Sequence, residues 1–245
     1  MSEHDASAYG EQVGADYDAL YARLPETDAA IERLAELAGG GAVLEFGIGT
    51  GRLALGLLER GLTVAGIEGS EAMVRQLRAK PGGDRFAVAI GDFSRTRVDG
   101  QFAVVVLALN TVFALADAGA QLDCFANAAE HLQPGGVFVV EAFVLRPEQL
   151  TGGWSMRPRL VEPDHVELEL SRYAPTESRV DRTLVHIRPA GNRIVQVVDV
   201  YASPGELDLM ARVAGLSLRS RWEDWLGTGF SAASPRHVSV YEKPA

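Results

Sequence analysis

The chain has one cysteine, Cys124. That count excludes an intrachain disulfide and a cysteine zinc site. Cys124 falls in an apolar helical pattern and reads as a small core residue. Basic tracts are also missing: 23 Lys and Arg stand against 33 Asp and Glu, a formal net charge of −10. A nucleic-acid groove needs clustered Lys and Arg to neutralise phosphates, so no nucleic-acid partner is expected. An anionic membrane surface is disfavoured on the same ground. No apolar run approaches the roughly 18 residues of a spanning helix, and no N-terminal signal region is seen. The expectation is a cytoplasmic protein with no membrane partner. At 245 residues the chain suits one α/β domain, alone or with a small insert. A chain of this size buries roughly 70–75% of its unfolded surface and needs no staples.

What the chain does have is a distinctive stretch at Val43–Leu55. It reads as a short apolar strand, a turn with Gly47, Gly49 and Gly51 on alternate positions, and a helix start. Glycine lets a ligand approach the backbone, and the free N–H groups of a helix start point at whatever sits there. The stretch is a cofactor cradle.

Around it, strands and helices alternate. A helix over Thr27–Leu37 is stopped by Gly39-Gly40-Gly41. Strand one is Ala42–Phe46, and the next helix runs to about Arg60. Strand two is Leu62–Ile67, closed by Glu68. Ser70 caps a helix to about Ala79. Strand three is Arg85–Ile90, ending in Gly91-Asp92-Phe93. Strand four, Phe102–Leu109, is continuously apolar, as a fully buried parallel strand should be. Asn110 follows it. A helix over Gln121–Leu132 leads through Gln133-Pro134-Gly135-Gly136 to strand five, Val137–Val140, which ends on Glu141. This alternation predicts a doubly wound, mostly parallel sheet.

After Phe143 the period changes. From about 155 to 201 apolar residues alternate, with turn signals at Ala174-Pro175-Thr176-Glu177 and Pro189-Ala190-Gly191-Asn192. This predicts an antiparallel insert of three or four strands after strand five. The insert either packs over the ligand end of the sheet or makes the contact of a homodimer. Ser203-Pro204 opens a last helix. Leu216–Trp222 and His237–Tyr241 form a final antiparallel pair. Residues 1–26 carry Tyr9, Tyr17 and Tyr21; they either anchor the terminus or form a lid.

A dinucleotide turn would read G-x-G-x-x-G, but here the third glycine's position holds Arg52. Glu45 precedes the first glycine. Glu68 ends strand two, where a carboxylate can accept both hydroxyls of a ribose. Asp92 and Phe93 can meet an adenine by its edge and face. With these residues, Gly66-Ile67-Glu68-Gly69-Ser70-x-x-Met73 and Leu132-Gln133-Pro134-Gly135-Gly136, the sequence resembles the class I S-adenosylmethionine-dependent methyltransferases. The resemblance implies a seven-stranded Rossmann-like sheet over 27–245, S-adenosylmethionine as cofactor, and roles for residues. Gly47, Gly49 and Gly51 pass under the methionine part, beside Phe46 and Arg52. Glu45 holds its amino group. Glu68 binds the ribose, Gly69 and Met73 flank the adenine, and Asp92 and Phe93 contact it. The backbone at Leu109 approaches the methionine part, and Tyr17 belongs to a lid over the cofactor. More loosely, the layout is similar to small-molecule methyltransferases of natural-product pathways, including aminosugar N-methyltransferases.

Methyl transfer from a sulfonium is a direct displacement, so positioning carries most of the catalysis and a strong base is optional. No catalytic residue is assigned. The acceptor is a small molecule methylated on O, N or C. Its pocket is expected at the carboxyl ends of strands four and five, walled by Tyr21, Asn110, Phe113, Glu141, Phe143, Trp154 and Trp225, with Phe230 as a further candidate. Glu141 has an alternative role as a cap on backbone N–H groups. No metal is expected, because the Asp/Asn cluster of metal-assisted transfer is absent after strands four and five. Two other readings are a methyltransferase fold that binds cofactor without transfer and, remotely, a NAD-linked oxidoreductase.

Overall fold

The computed structural model describes residues 26–146 and 150–245, together with Gly10, Tyr17 and Asp18. Tyr9 and Tyr21 lie outside the described residues. The strands are β1 (Val43–Phe46), β2 (Val64–Glu68), β3 (Ala87–Ile90), β4 (Phe102–Leu107), β5 (Leu132–Phe143), β6 (Trp154–Glu162), β7 (His165–Ala174), β8 (Arg179–Arg188), β9 (Gly191–Val200), β10 (Ser217–Trp222) and β11 (Arg236–Glu242). The α-helices are α1 (Thr27–Ala38), α2 (Arg52–Glu59), α3 (Glu71–Arg78), α4 (Ala118–His131) and α5 (Pro204–Val213).

Seven strands form one sheet in the order β10-β11-β5-β4-β1-β2-β3. Only β11 runs against the rest, antiparallel to both β5 and β10. The order reverses between β1 and β4, and β1 pairs with both β2 and β4. In an open α/β sheet that switch point leaves a crevice at the carboxyl ends of the strands. β1 and β4 are buried along their whole length because helices cover both faces. On one face α4 and α5 enclose Phe46, Phe93, Phe125 and Phe138. On the other, α1 and α2 enclose Ile31, Leu34, Leu53, Leu57 and Trp225.

Boundaries differ from the sequence expectation where tertiary contacts decide them. β5 begins at Leu132 rather than Val137. Phe102 pairs with Leu132 and Val104 with Val137, so Gln133–Gly136 bulges out between two paired residues. β4 stops at Leu107 because Leu109 and Asn110 leave the strand with φ of 53° and 65°. α4 starts at Ala118, one residue after its cap Asp117, which accepts the Ala120 N–H.

The segment after β5 forms a separate antiparallel sheet of four strands, in the order β6-β7-β8-β9. Its inner face carries Leu184 and Val195, which pack with Met73 and Tyr17. Its root is fixed by Gln121, whose side chain donates to the Val200 carbonyl at 2.7 Å, and by Tyr201, whose N–H donates to Ser178 O at 2.6 Å. The insert therefore covers the α3 side of the ligand end.

Candidate functional site at the carboxyl ends of β1, β2 and β4

The glycine turn after β1 is held open by charge. Glu68 stands at the end of β2. Its Oε2 accepts the Gly49 N–H at 2.8 Å and its Oε1 accepts the Ser70 N–H at 2.8 Å. Ser70 in turn caps α3 by accepting the Met73 N–H. Gly47, Gly49 and Gly51 all have left-handed φ, between 56° and 85°. At Gly51 a side chain is also excluded by packing, since a Cβ would sit 2.4 Å from Leu77 Cδ1. At Gly49 a Cβ would make only an ordinary van der Waals contact, 3.8 Å from Gly47 O, so packing does not close the turn there. Gly69 is partly exposed beside it.

Beneath the turn, Glu45 is 5% exposed, and its Oε2 is buried without a hydrogen-bond partner among the described residues. Burial pushes its carboxyl up to about 8, with Glu68 adding to the rise and Arg52 and the Ala54 N–H opposing it. An unpartnered buried carboxylate oxygen costs free energy that a ligand cation would return. Arg52 itself donates to Thr27 Oγ1 at 3.1 Å.

Two expected contacts are corrected here. Phe46 is buried, and its ring lies in the core against Phe93, Phe138 and His131. Phe93 is buried too and stacks on Phe46, at 6.0 Å between ring centroids. Successive strand residues point to opposite faces. Both rings take the α4 side, so neither offers a face to a ligand. Asp92 remains exposed, with Oδ1 accepting the Ser94 N–H. The turn that carries it is anchored by Asn127, which donates to Phe93 O and Thr96 O.

After β4 the backbone makes two consecutive left-handed residues, Leu109 and Asn110. A non-glycine residue in that region costs about 1–3 kcal/mol and persists only where its surroundings demand it. Here β5 makes the demand. Glu141 Oε2 accepts the Leu109 N–H at 3.0 Å, Glu141 O accepts the Asn110 N–H at 3.0 Å, and Asn110 Oδ1 accepts the Phe143 N–H at 2.6 Å. Glu141 thus braces the loop, the capping role that the sequence offered beside the pocket role. Beyond it, Phe113 meets Phe143 at 4.9 Å and Tyr201 at 5.3 Å, and the Arg182 guanidinium lies over Phe143 at 5.8 Å. Tyr201, absent from the sequence expectation, has no motif around it; only the fold brings it to β5, where its hydroxyl accepts the Leu145 N–H.

The two tryptophans expected at the pocket, of three in the chain, stand elsewhere. Trp225 is buried on the α1 side of the sheet, its N–H donating to Glu26. Trp154 is 54% exposed at the start of β6, with Arg172 over its ring. Phe230 stacks edge-on to His237 under Arg221. An aromatic near the right strand end can face core, solvent or pocket, and its spacing in sequence does not separate the three.

The N-terminal segment touches the glycine turn. Thr50 Oγ1 donates to Asp18 Oδ1 at 2.6 Å, and Lys80 Nζ donates to Asp18 Oδ1 and to Thr50 O at 2.8 and 2.7 Å. Tyr17 packs with Met73, and Gly10 lies against Ser70 and Met73.

Comparison with known proteins decides what this architecture is. The methyltransferase-domain family profile matches residues 43–136. The solved structure of the CcbJ methyltransferase from Streptomyces caelestis superposes with a TM-score of 0.89, at 34% identity, covering 98% of this chain and 100% of that one. The chain belongs to the class I S-adenosylmethionine-dependent methyltransferases. The cypemycin N-terminal methyltransferase of a Streptomyces species is 27% identical over 219 residues, spanning 83% of this chain and 84% of its own. The fold is shared with an amino pentose methyltransferase from Micromonospora echinaspora, at a TM-score of 0.70 and 22% identity over 93% of this chain and 96% of that one.

The donor set of this methyltransferase fits its cofactor. S-adenosylmethionine carries an ammonium, a ribose diol and an adenine. Against these the site offers the unpartnered oxygen of Glu45, the carboxylate of Glu68, the turn at Gly49, which packing does not close, and the exposed Asp92.

Replacement of Glu45 by Gln removes an acid whose folded pKa lies far above its usual value. The native group is protonated in both states at low pH. As pH rises from about 4.5 toward 8, only the unfolded carboxyl ionises and stability is lost. E45Q without cofactor is therefore expected to gain in Tm relative to the native chain as pH is raised from 4.5 to 8, with little difference at 4.5. The same variant should bind S-adenosylmethionine at least about tenfold more weakly, the loss of one charged contact. Thermal melts across pH and calorimetry with the cofactor check both.

Proposed function

We propose that this enzyme methylates an amine nitrogen of a small natural-product acceptor. Membership of the family supplies the donor, an already activated methyl on sulfur. Supporting the nitrogen assignment are the relative named for N-terminal methylation and the shared fold of the amino pentose enzyme. The observation that carries the reading is the convergence of Glu45, the Glu68-braced glycine turn and the aromatic group Phe113, Phe143 and Tyr201 at one end of the sheet.

In this reading Glu45 Oε2 takes the donor's ammonium, with Arg52 moderating its charge. Glu68 accepts from the ribose hydroxyls. Gly47, Gly49 and Gly51 supply backbone under the methionine part, and Leu109 supplies it from the other side. Gly69 and Met73 flank the adenine, whose edge meets Asp92. Glu141 and Asn110 act as positioning residues, holding the strained loop that borders the methyl. Phe143 and Tyr201 wall the acceptor and exclude water, backed by Phe113, which is fully buried behind them and is not itself the wall residue expected from the sequence. An amine that arrives deprotonated needs no strong base, and orientation alone can supply about 7–11 kcal/mol of barrier reduction. The test is methyl-labelled S-adenosylmethionine with a panel of small amines, amino sugars and hydroxylated analogues. Label is expected on nitrogen; label only on oxygen or carbon overturns the assignment.

Residues 1–26 serve as a lid in the same reading, separate from the 27–245 methyltransferase domain. The Asp18–Thr50–Lys80 contacts support it, because they tie that segment to the turn under the donor. The ion pair is partly exposed, with Lys80 at 26% and Asp18 at 52%, and is therefore screened. D18A is expected to raise the Kd for S-adenosylmethionine about fivefold to tenfold, near 1–1.4 kcal/mol, with little change in Tm. An unaltered Kd in calorimetry removes Asp18 from lid closure.

The protein works as a homodimer joined through the outer face of the second sheet. That face is the apolar one: Met156, Val161 and Ile194 are each about two-thirds or more exposed, at 71%, 72% and 66%. Charged residues such as Glu167, Glu169 and Arg182 lie on the opposite, inner face. An antiparallel sheet in water normally turns its apolar face inward. Light scattering should report two chains per particle for the native protein and one for I194K; a native monomer overturns this.

A further inference from the structure

The inner face of the second sheet holds a trio that methyl transfer does not use. β7 opens His165-x-Glu167, and alternate residues of a strand share a face. β8 places His186 directly opposite Glu167. Cross-strand partners have Cβ atoms about 4.5–5.5 Å apart, and diagonal neighbours stay within reach of long side chains. The three groups therefore converge. His165 Nε2 lies 3.3 Å from His186 Nδ1, and His186 Nδ1 lies 3.5 Å from Glu167 Oε2. One ligand atom from each residue falls within 4.8 Å of the others.

Those separations match a coordination shell. A four-coordinate zinc ion with bonds of about 2.0–2.1 Å holds its ligand atoms roughly 3.3–3.4 Å apart, and two histidines with one glutamate are an established zinc donor set. We propose that His165, Glu167 and His186 bind a divalent transition ion of the Zn²⁺ class, with the fourth position left to water.

The surroundings suit the three ligands. Glu167 uses Oε1 for Arg159, whose Nε is 3.3 Å away, which leaves Oε2 for the ion and orients the carboxylate. His186 is buried, and its Nε2 has no partner among the described residues, so its ring meets polar groups through Nδ1. A direct His165–His186 hydrogen bond is the competing arrangement. At 3.3 Å, between rings nearly stacked at 5.6 Å and 23°, it is a poor one. The neighbouring Arg188 and Arg193 repel a dication and lower the affinity. The sequence led to the expectation of no metal anywhere in the chain, on the ground of the loops after β4 and β5 alone; the trio lies in the insert and departs from that expectation. An ion here would pin β7 to β8 in the sheet whose inner residues Leu184 and Val195 rest on Met73 and Tyr17.

The experiment uses the full chain without an affinity tag. Calorimetric titration with zinc chloride is expected to show one ion per chain, and Co²⁺ should give a visible absorption band that excess Zn²⁺ removes. H165Q and E167Q should each weaken Zn²⁺ binding by about tenfold or more, the scale of a disturbed coordination shell. Their affinity for S-adenosylmethionine should stay at the native value, which shows that they are folded. Absence of saturable binding overturns the proposal, as does equal Zn²⁺ affinity in the native chain and in a folded H165Q.

Discussion

One carboxylate organises the donor end of this molecule. Glu68 reaches from the last position of β2 to the N–H of Gly49 and the N–H of Ser70. It thereby joins the turn after β1, the end of β2 and the start of α3. A charged acceptor for two backbone donors makes short, strong bonds, and those bonds hold the glycine turn in its left-handed course. Gly51 then packs against Leu77, and Ser70 caps the helix that presents Met73. Without Glu68 the turn would have to find other partners for two N–H groups, and the floor of the site would lose its shape.

The loop after β4 is held by a different device. Leu109 and Asn110 occupy backbone conformations that cost free energy, and three hydrogen bonds to Glu141 and Phe143 offset it. Strain maintained by neighbours is a common feature of functional loops. Here it turns the backbone after β4 toward the crevice and sets Asn110 across to β5. The aromatic group of Phe113, Phe143 and Tyr201 begins where this bracing ends. The second sheet is rooted at the same point through Gln121 and Tyr201, so this aromatic group and the second sheet share one support.

Much of this was legible in the order of residues. The alternation of apolar strands with helical patterns specified the parallel sheet, and the switch from a helical period to strict alternation after Phe143 specified an antiparallel insert. The glycine turn with its flanking acids was legible because a strand–turn–helix cradle is local. The face contact expected of Phe93 was misread because the direction of a ring just past a strand end depends on which helix covers it. Glu141 was read both as pocket wall and as brace, and only its distance to Leu109 N–H shows the brace. Trp225 and Trp154 went to core and solvent, since nothing in a loop's composition states its direction.

By itself, the sequence determined the alternating α/β sheet and the antiparallel insert, because both rest on short periodic patterns, and it pointed to the methyl donor through the resemblance of its motifs to a known family. Tertiary structure alone decided which face of the insert is charged and which is apolar, how Asp18 meets Thr50 and Lys80, and that His165, Glu167 and His186 stand together. Those are long-range or cross-strand contacts. They depend on register, where a shift of one residue reverses every side chain, and register is set by the whole fold.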